Sequence, residues 1–467
     1  MKKNILIVNW GTPTSVHILS RCVRLRQYNF YLACTSVMPK EIKNIFREDQ
    51  IIVTNPYDSI KLCEDVSNFT QQKKISFHAV TTFFEMCVYQ TACLADYLDI
   101  KRKLSIRSAL KTSVNKYLMR LEIEKSGLNQ PKFIKFDDNS IKKAFRFLGK
   151  ISGPAIIKPI HSGHSYGVRY IEKGVDFNAF KRLVFDARKD YQKNYDEWMK
   201  YEDVNNVNFL LEEFIEGRVY SIDGIVDSKG KITFIGSTEF EMSTPPIMQQ
   251  IGHTTPIYSL SSSQLLSGYD YVKKVISGLE LTSCGFHCEL KYFDDEPMLI
   301  EVSGRLPGGV ITRSYQNLLK YNLLDKFFSV FDETSVHRLS KHKISCAVET
   351  MKIVHDDNRL GIVINAPGNI QRRTKDYICE VRSRKKNEII YEGNNTFGTW
   401  LYEIVLRSKT LSAKELITVR DNFIEKQKTV IGKSRLLNID YIIGHYILLL
   451  KQFLAKMVSK QIINRNV

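Results

Sequence analysis

Two hydrophobic rhythms divide the chain. Between residues 4 and 100, short apolar runs alternate with stretches whose apolar positions fall three and four apart. NILIVNW (4–10), YLACTS (31–36) and IIVTN (51–55) read as buried strands. Gly11 to Ser20 reads as a turn into a helix, and FFEMCVYQTACLADYLDI (83–100) as a helix. Strands interleaved with helices predict a small parallel α/β domain. The first turn, GTPTS, lacks GxGxxG, so no dinucleotide is assigned to it.

Further along, strand signals come in adjacent pairs. SVNKYLMRLEIEKSGLNQP (113–131) predicts a helix that Ser113 can cap, Gly127 can end and Pro131 keeps from resuming. GPAIIKP (153–159) is a short strand followed by the loop HSGHSYG (161–167), and 180–206 is polar and mostly helical. FLLEEFIEG (209–217) is a strand ending in a turn. VYSIDGIV and KITFIGS (219–237) form one hairpin, FHCELKYF and PMLIEVS (286–303) another. After about 335 a smaller mixed region follows, with ISCAVETMKIV, GIVIN and EIIYEG as strand-like runs. The final IDYIIGHYILLLKQFLAKMVSKQIINRNV is an apolar helix carrying Lys451, Lys456 and Lys460. It suits either docking on the body or peripheral contact with a membrane surface.

The 467 residues allow two to four domains, and 43% apolar residues suffice for real cores. Nine scattered cysteines, an odd number without a CxxC pair, suit a reduced intracellular protein. Cys284 and Cys288 bracket His287, but on a strand Cys288 points away from it, so no metal–thiolate site is assigned. No signal peptide and no membrane-spanning run is expected, and a cytoplasmic location follows. The charge of +18 could serve anionic substrates, nucleic acid or a solvated surface. No basic block is interleaved with aromatics, so no specific nucleic-acid partner is expected.

The acidic hairpin at 286–303 raises the chemical question. Alternation puts His287, Glu289 and Lys291 on one face of its first strand, and Leu299, Glu301 and Ser303 on one face of its second. A hairpin turning on Asp295 sets Glu289 opposite Glu301 and Lys291 opposite Leu299. Opposed carboxylates repel, and partial burial sharpens the repulsion. Lys291 or Arg305 could neutralise them; a hard divalent ion such as Mg²⁺ fits better. Lys158 ends a strand before a loop holding Ser162, Gly163, Ser165 and Gly167, which can offer backbone N–H groups to phosphate. Lys116 adds a second cation. The loop is not a P-loop, since GxxxxGK[ST] is absent.

In order and spacing, NKYLMR, PAIIKP with HSGHSYGV, LLEEFIEG with YSIDG, and GFHCEL with LIEVSGRLPGG resemble the ATP-grasp superfamily. The resemblance covers about residues 105–330. The E-x-x-x-R-x-x-G-G ending is similar to that of carboxylate–amine ligases joining amino acids. It implies α/β and α+β architecture: an N-terminal Rossmann-like domain at 1–104, ATP-grasp lobes at 105–206 and 207–335, a C-terminal subdomain at 336–435 and a basic helical tail at 436–467. It implies ATP and Mg²⁺, with Mn²⁺ as an alternative ion, and small-molecule carboxylate and amine substrates. A monomer or homodimer is expected.

By the same resemblance Lys116, Lys158 and the Ser162–Gly167 loop, including Gly163 and Ser165, would hold phosphates. Glu212 would approach the adenine amino group, with Glu213, Phe214 and Ile215 as the hinge. Glu289, Glu301 and Ser303 would hold the metal. Arg305, with Gly308 and Gly309, would meet the substrate carboxylate. Lys158 and Arg305 are the expected catalytic groups, and His287 is expected to stand behind the metal ligands or in the core. The loop histidines His161 and His164 are expected to supply polarity. The implied activity forms an acyl phosphate that an amine then attacks, releasing ADP and phosphate.

Two departures stand out. Ser303 occupies a position often held by Asn, and Val219 one often held by a ribose-binding Glu, for which Asp223 could substitute. Those departures keep a catalytically weak, membrane-associated nucleotide binder as an alternative; the breadth of the superfamily keeps a thiol, bicarbonate or hydroxyl acceptor as another.

Overall fold

The computed structural model describes residues 2–9, 16–36, 40–163, 167–195, 207–245, 250–319, 322–332, 348–355, 361–365, 369–383, 389–390, 400–426 and 430–432. The chain divides into two compact units, Met1–Thr350 with Arg407–Leu416, and Met351–Leu406 with Ile417–Val467. The predicted helix at 436–467 lies outside the described residues.

The first unit opens with the expected parallel domain. Strands β1 (Lys3–Val8), β2 (Tyr28–Cys34), β3 (Ile51–Val53) and β4 (Ala79–Thr82) lie in the order β3-β2-β1-β4. Ile5, Leu6, Ile7 and Val8 are all fully buried, as a strand covered on both faces requires. The sequence pattern does not reveal β4: AVTT is too short and too small to show a rhythm. The predicted helix at 83–100 is shorter, Val88–Tyr97, because residues 85–87 form a 3₁₀ turn.

A small antiparallel sheet follows, in the order β5 (Phe133–Phe136), β8 (Phe209–Glu213), β6 (Ala155–Pro159), β7 (Arg169–Ile171). The amphipathic helices Ile141–Leu148 and Phe177–Tyr195 cover it, closing a core around Phe136, Ile157, Phe180 and Phe209. The helix expected at 113–131 runs Lys116–Lys125. Its cap is Asn115 rather than Ser113: the Asn115 side chain accepts the Leu118 N–H, while residues 113–115 form a 3₁₀ turn.

The larger sheet of this unit runs β13 (Glu296–Ser303), β12 (Cys284–Phe293), β9 (Tyr220–Val226), β10 (Ile232–Met242), β11 (Gln250–Thr255), with the start of a strand at Val348 next. Its two faces are chemically different. Even-numbered residues of β9 and β12, Ile222, Phe286, Cys288 and Leu290 among them, bury against the helix Ser262–Gly278. Odd-numbered Ser221, Asp223, His287 and Glu289 therefore face the other side, where the helix Gly309–Leu318 packs.

The hairpin β12–β13 departs from the expected register in one respect. Glu289 does pair with Glu301, and His287 with Ser303, but Lys291 pairs with Met298 and Leu290 with Leu299. Ile300 is an extra residue, a β-bulge. It moves Leu299 to the apolar face, so Leu299 does not share a face with Glu301 as expected. The turn is a tight one at Asp294 and Asp295, both with positive φ, which closes a two-residue hairpin.

In the second unit Ile370–Arg373 pairs with Tyr377–Ser383, and Gly361–Asn365 lies between Ile389–Ile390 and Val430–Gly432. Among the described residues no helix is long and apolar enough to cross a membrane.

Candidate active site

Lys116, Lys158, Glu212, Glu289, Glu301, Ser303 and Arg305 all belong to the first unit; ion pairs join Lys116 to Glu301 and Lys158 to Glu212. Three groupings emerge. The first is centred on Glu212, the penultimate residue of β8, with a side chain only 6% exposed. Its Oε1 lies 2.6 Å from Arg120 Nε and its Oε2 2.6 Å from Lys158 Nζ. Burial would raise the carboxyl; Arg120 and Lys158 outweigh that and lower it to about 2. Arg120, fully buried, also donates from Nη1 to the Leu299 carbonyl at 2.8 Å and from Nη2 to the Ile300 carbonyl at 2.9 Å. One guanidinium thus binds the small sheet's acid and the two carbonyls at the bulge. Sequence reasoning missed Arg120. The available signal was an arginine one helical turn beyond Lys116, on a side of the helix already bound to be buried.

The second grouping joins Lys116 to the loop after β6. Lys116 is 3% exposed, not a solvated surface residue. Its N–H donates to the Ile160 carbonyl at 3.1 Å and its Nζ to the Ser162 carbonyl at 2.5 Å. The same Nζ lies 3.2 Å from Glu301 Oε1. The far end of the loop is held where the Gly167 N–H meets Asp190 Oδ2 at 3.0 Å. Gly167 has φ +71, and a Cβ there would come within 2.7 Å of Pro159, so glycine is required. Ser162 and Gly163 fall within the described residues; Ser165 and His164 lie outside them.

The third grouping is the hairpin. Glu289 and Glu301 are opposite partners on one face, 29% and 33% exposed at their side chains. Their neutralising groups are not those expected. Glu301 is met by Lys116, and Glu289 by His287 Nε2 at 3.1 Å. Lys291 instead donates to the Ile215 carbonyl at 2.6 Å and stands 4.4 Å from the Phe214 ring centroid; burial lowers it to about 8. Arg305 Nε lies 2.7 Å from Glu85 Oε2, and Ser303 Oγ donates to the same carboxylate. Glu85, just after β4, is a second residue missed, because a lone acid among aromatics carries no motif.

Asp223 cannot serve a ribose. It is fully buried and committed to His287 Nδ1 (2.6 Å), Ser221 Oγ (2.8 Å) and the Tyr315 hydroxyl. Along the hinge, the Glu213 N–H is spent on the Lys132 carbonyl and the Phe214 N–H on that of Pro154, both at 2.9 Å. Gly308 caps the helix that Gly309 begins, and a Cβ at Gly308 would meet nothing within 4 Å. No cluster of three or more His, Cys, Asp or Glu with metal-holding geometry occurs among the described residues, so the hairpin offers a carboxylate pair rather than a protein cage. Hard ions bound with phosphate commonly use one or two carboxylates.

An opposed acid pair, two buried lysines and a glycine-bounded loop are parts from which a nucleotide site can be built. Residues 151–314 match the ATP-grasp domain family. The chain carries an ATP-grasp domain. Its wider fold agrees. An L-amino acid ligase from Bacillus licheniformis superposes with a TM-score of 0.69 at 16% identity, covering 92% of this chain and 99% of that one. Phosphoribosylglycinamide synthetase from Anaerococcus prevotii superposes at 0.64 and 16% identity, covering 92% and 100%. In sequence, the chain is 24% identical over 269 residues to dapdiamide A synthase of Enterobacter agglomerans, across 55% of this chain. The match spans only 57% of that synthase. The ATP-grasp domain so defined includes β6, the loop after it and both hairpin acids; Lys116, Arg120 and Glu85 precede it.

Proposed function

We propose that this protein is an ATP-dependent carboxylate–amine ligase that activates a carboxylate as its acyl phosphate and joins it to an amine, releasing ADP and phosphate. One observation carries the reading: Glu289 and Glu301 are direct cross-strand partners on one half-open face, with Lys116 bridging Glu301 to the Ser162 carbonyl of the loop. Like charges placed so are destabilising unless a cation uses them.

The donor set fits a magnesium nucleotide. Glu289, Glu301 and Ser303 would hold Mg²⁺, and Lys116, Lys158 and the Ser162–Gly167 loop the phosphates. When bound, that group supplies the phosphoryl donor and the positive charge that balances it. Glu212 and Arg120 hold Lys158 and the Ile300 carbonyl in place. Phe214 and the Ile215 segment, braced by Lys291, would border the base. Arg305 orients a substrate carboxylate, sharing its charge with Glu85, and Gly308–Gly309 give the backbone room to approach. Small-molecule acids and amines, as the relatives' names indicate, are the substrate class.

The test is release of ADP and phosphate over a panel of amino-acid pairs, with mass spectrometry of products. Turnover with an amino-acid mixture, lost in Glu301→Gln, supports the proposal. Turnover intact in that variant overturns the metal assignment, and turnover only with a thiol or bicarbonate overturns the amine acceptor.

A further inference from the structure

Behind Glu289, on the same face of the large sheet, runs a line of polar contacts that the chemistry proposed above does not use. It starts at Glu289 Oε1, 3.1 Å from His287 Nε2. His287 Nδ1 lies 2.6 Å from Asp223 Oδ1. Asp223 Oδ2 accepts from Ser221 Oγ at 2.8 Å and from the Tyr315 hydroxyl. The Tyr315 oxygen lies 3.0 Å from Thr238 Oγ1, itself 2.9 Å from Thr255 Oγ1. Asp223, Ser221 and Thr238 are wholly buried, and Tyr315 is 1% exposed.

We infer that Asp223 and Tyr315 are positioning residues that hold the His287 imidazole against Glu289, tying that carboxylate's orientation to the helix Gly309–Leu318. The inference rests on Glu289 and Glu301 being the magnesium ligands proposed above. Three features support it. Each ring nitrogen of His287 faces a carboxylate, so the ring's orientation is set from both sides. Packing alone would need neither acid nor hydroxyl at positions 223 and 315; a buried carboxylate costs stability unless hydrogen-bonded, and here three donors serve it. Room has also been made for the phenol: a Cβ at Gly236 would come within 2.2 Å of the Tyr315 ring. The helix carrying Tyr315 starts directly after the Arg305–Gly308 segment, so one rigid element bears on both the substrate loop and the metal carboxylate. Groups behind metal ligands tune affinity in this way.

The experiment compares Tyr315→Phe and Asp223→Asn with the wild type and with Tyr28→Phe, which removes a comparable hydroxyl bond to Asp332 Oδ2 (3.0 Å) in the N-terminal domain. Calorimetry with ADP over a Mn²⁺ series, with electron paramagnetic resonance of bound Mn²⁺, gives the metal requirement; thermal unfolding gives stability. Tyr315→Phe and Asp223→Asn are expected to raise the Mn²⁺ needed for half-maximal ADP binding about 10-fold. Tyr28→Phe is expected to change unfolding alone. A wild-type Mn²⁺ requirement in Tyr315→Phe, with only its melting point lowered, overturns the inference. Tyr315→Phe is decisive by itself even if Asp223→Asn does not fold. Should the wild type bind no Mn²⁺–ADP, the nucleotide reading itself fails and the positioning role with it; ADP binding that ignores Mn²⁺ in wild type and Glu301→Gln alike removes the metal assignment and, with it, the role given to Asp223 and Tyr315.

Discussion

The chain handles its acidic residues in two contrasting ways within one unit. Glu212 is a single carboxylate serving two cations, with a side chain 6% exposed. Glu289 and Glu301 are two carboxylates that, among the described residues, meet His287 and Lys116 respectively, and both are about a third exposed. The first arrangement is saturated: every strong partner it needs is supplied by the protein. The second is part-exposed, although opposed acids disfavour the fold. Saturated charge builds the frame; the part-exposed pair is where the proposed function seats its metal ion.

That contrast breaks first, and by the widest margin, in a pair of isosteric substitutions. Glu301→Gln is expected to cut ADP release at least about 100-fold, with unfolding little changed, because a half-open acid contributes little to stability. Glu212→Gln should do the reverse in emphasis: stability falls by about 3–5 kcal/mol because Arg120 and Lys158 lose their buried counter-ion. Paired thermal melts and phosphate-release assays read both, and equal behaviour of the two variants would dissolve the distinction.

Acidification sharpens the same comparison. Glu212 is lowered from 4.5 to about 2. A depressed carboxyl stabilises the fold above its unfolded pKa, and that contribution is lost as pH falls through the folded value. The stability gap between wild type and Glu212→Gln should therefore be full above about pH 5 and shrink as pH approaches 2. Melting curves across about pH 2–7 test this; a gap constant with pH would mean that shape, not charge, makes Glu212 important.

The packing around Tyr315 offers a smaller effect. Gly236→Ala puts a Cβ 2.2 Å from the ring, and such overpacking costs about 1–3 kcal/mol. A drop in melting temperature together with a raised Mn²⁺ requirement would link the packing to the site.

How much of this is legible in the sequence follows from the physics of each part. The opposed acids can be read because antiparallel pairing has period two and the flanking residues alternate cleanly. The bulge at Ile300 cannot, because one extra residue leaves no trace in alternation until its partners are known; its consequence is that Lys291 meets Met298. Lys158 stands out as a cation beside a glycine loop, whereas Lys116, at the head of a helix, gains a role only through the family resemblance. Arg120 and Glu85 do not, since their roles depend on segments distant in sequence: Arg120 meets Glu212 and Leu299, and Glu85 meets Arg305. Val219 pointed to Asp223 for the ribose contact, but strand alternation cannot say that the acid is already enclosed by His287, Ser221 and Tyr315.

Asn115 supplies the mildest test, on the saturated side of the comparison. Its side chain accepts the Leu118 N–H at 3.0 Å and caps the helix whose first residue is Lys116. Asn115→Ala removes the cap, at about 1 kcal/mol, and lets the first turn fray. The stability loss is small because Lys116 is also tied through its N–H to Ile160 and through its Nζ to Ser162 and Glu301. Its functional consequence should nonetheless show, since fraying shifts a cation that touches both the loop after β6 and the hairpin. A two- to five-fold weaker apparent affinity for ATP is expected, about 0.4–1 kcal/mol, with Asn115→Asp restoring the cap and the affinity together. If Asn115→Ala melts earlier but keeps wild-type affinity, Lys116 is positioned by its loop contacts alone, and the helix start contributes only to the frame.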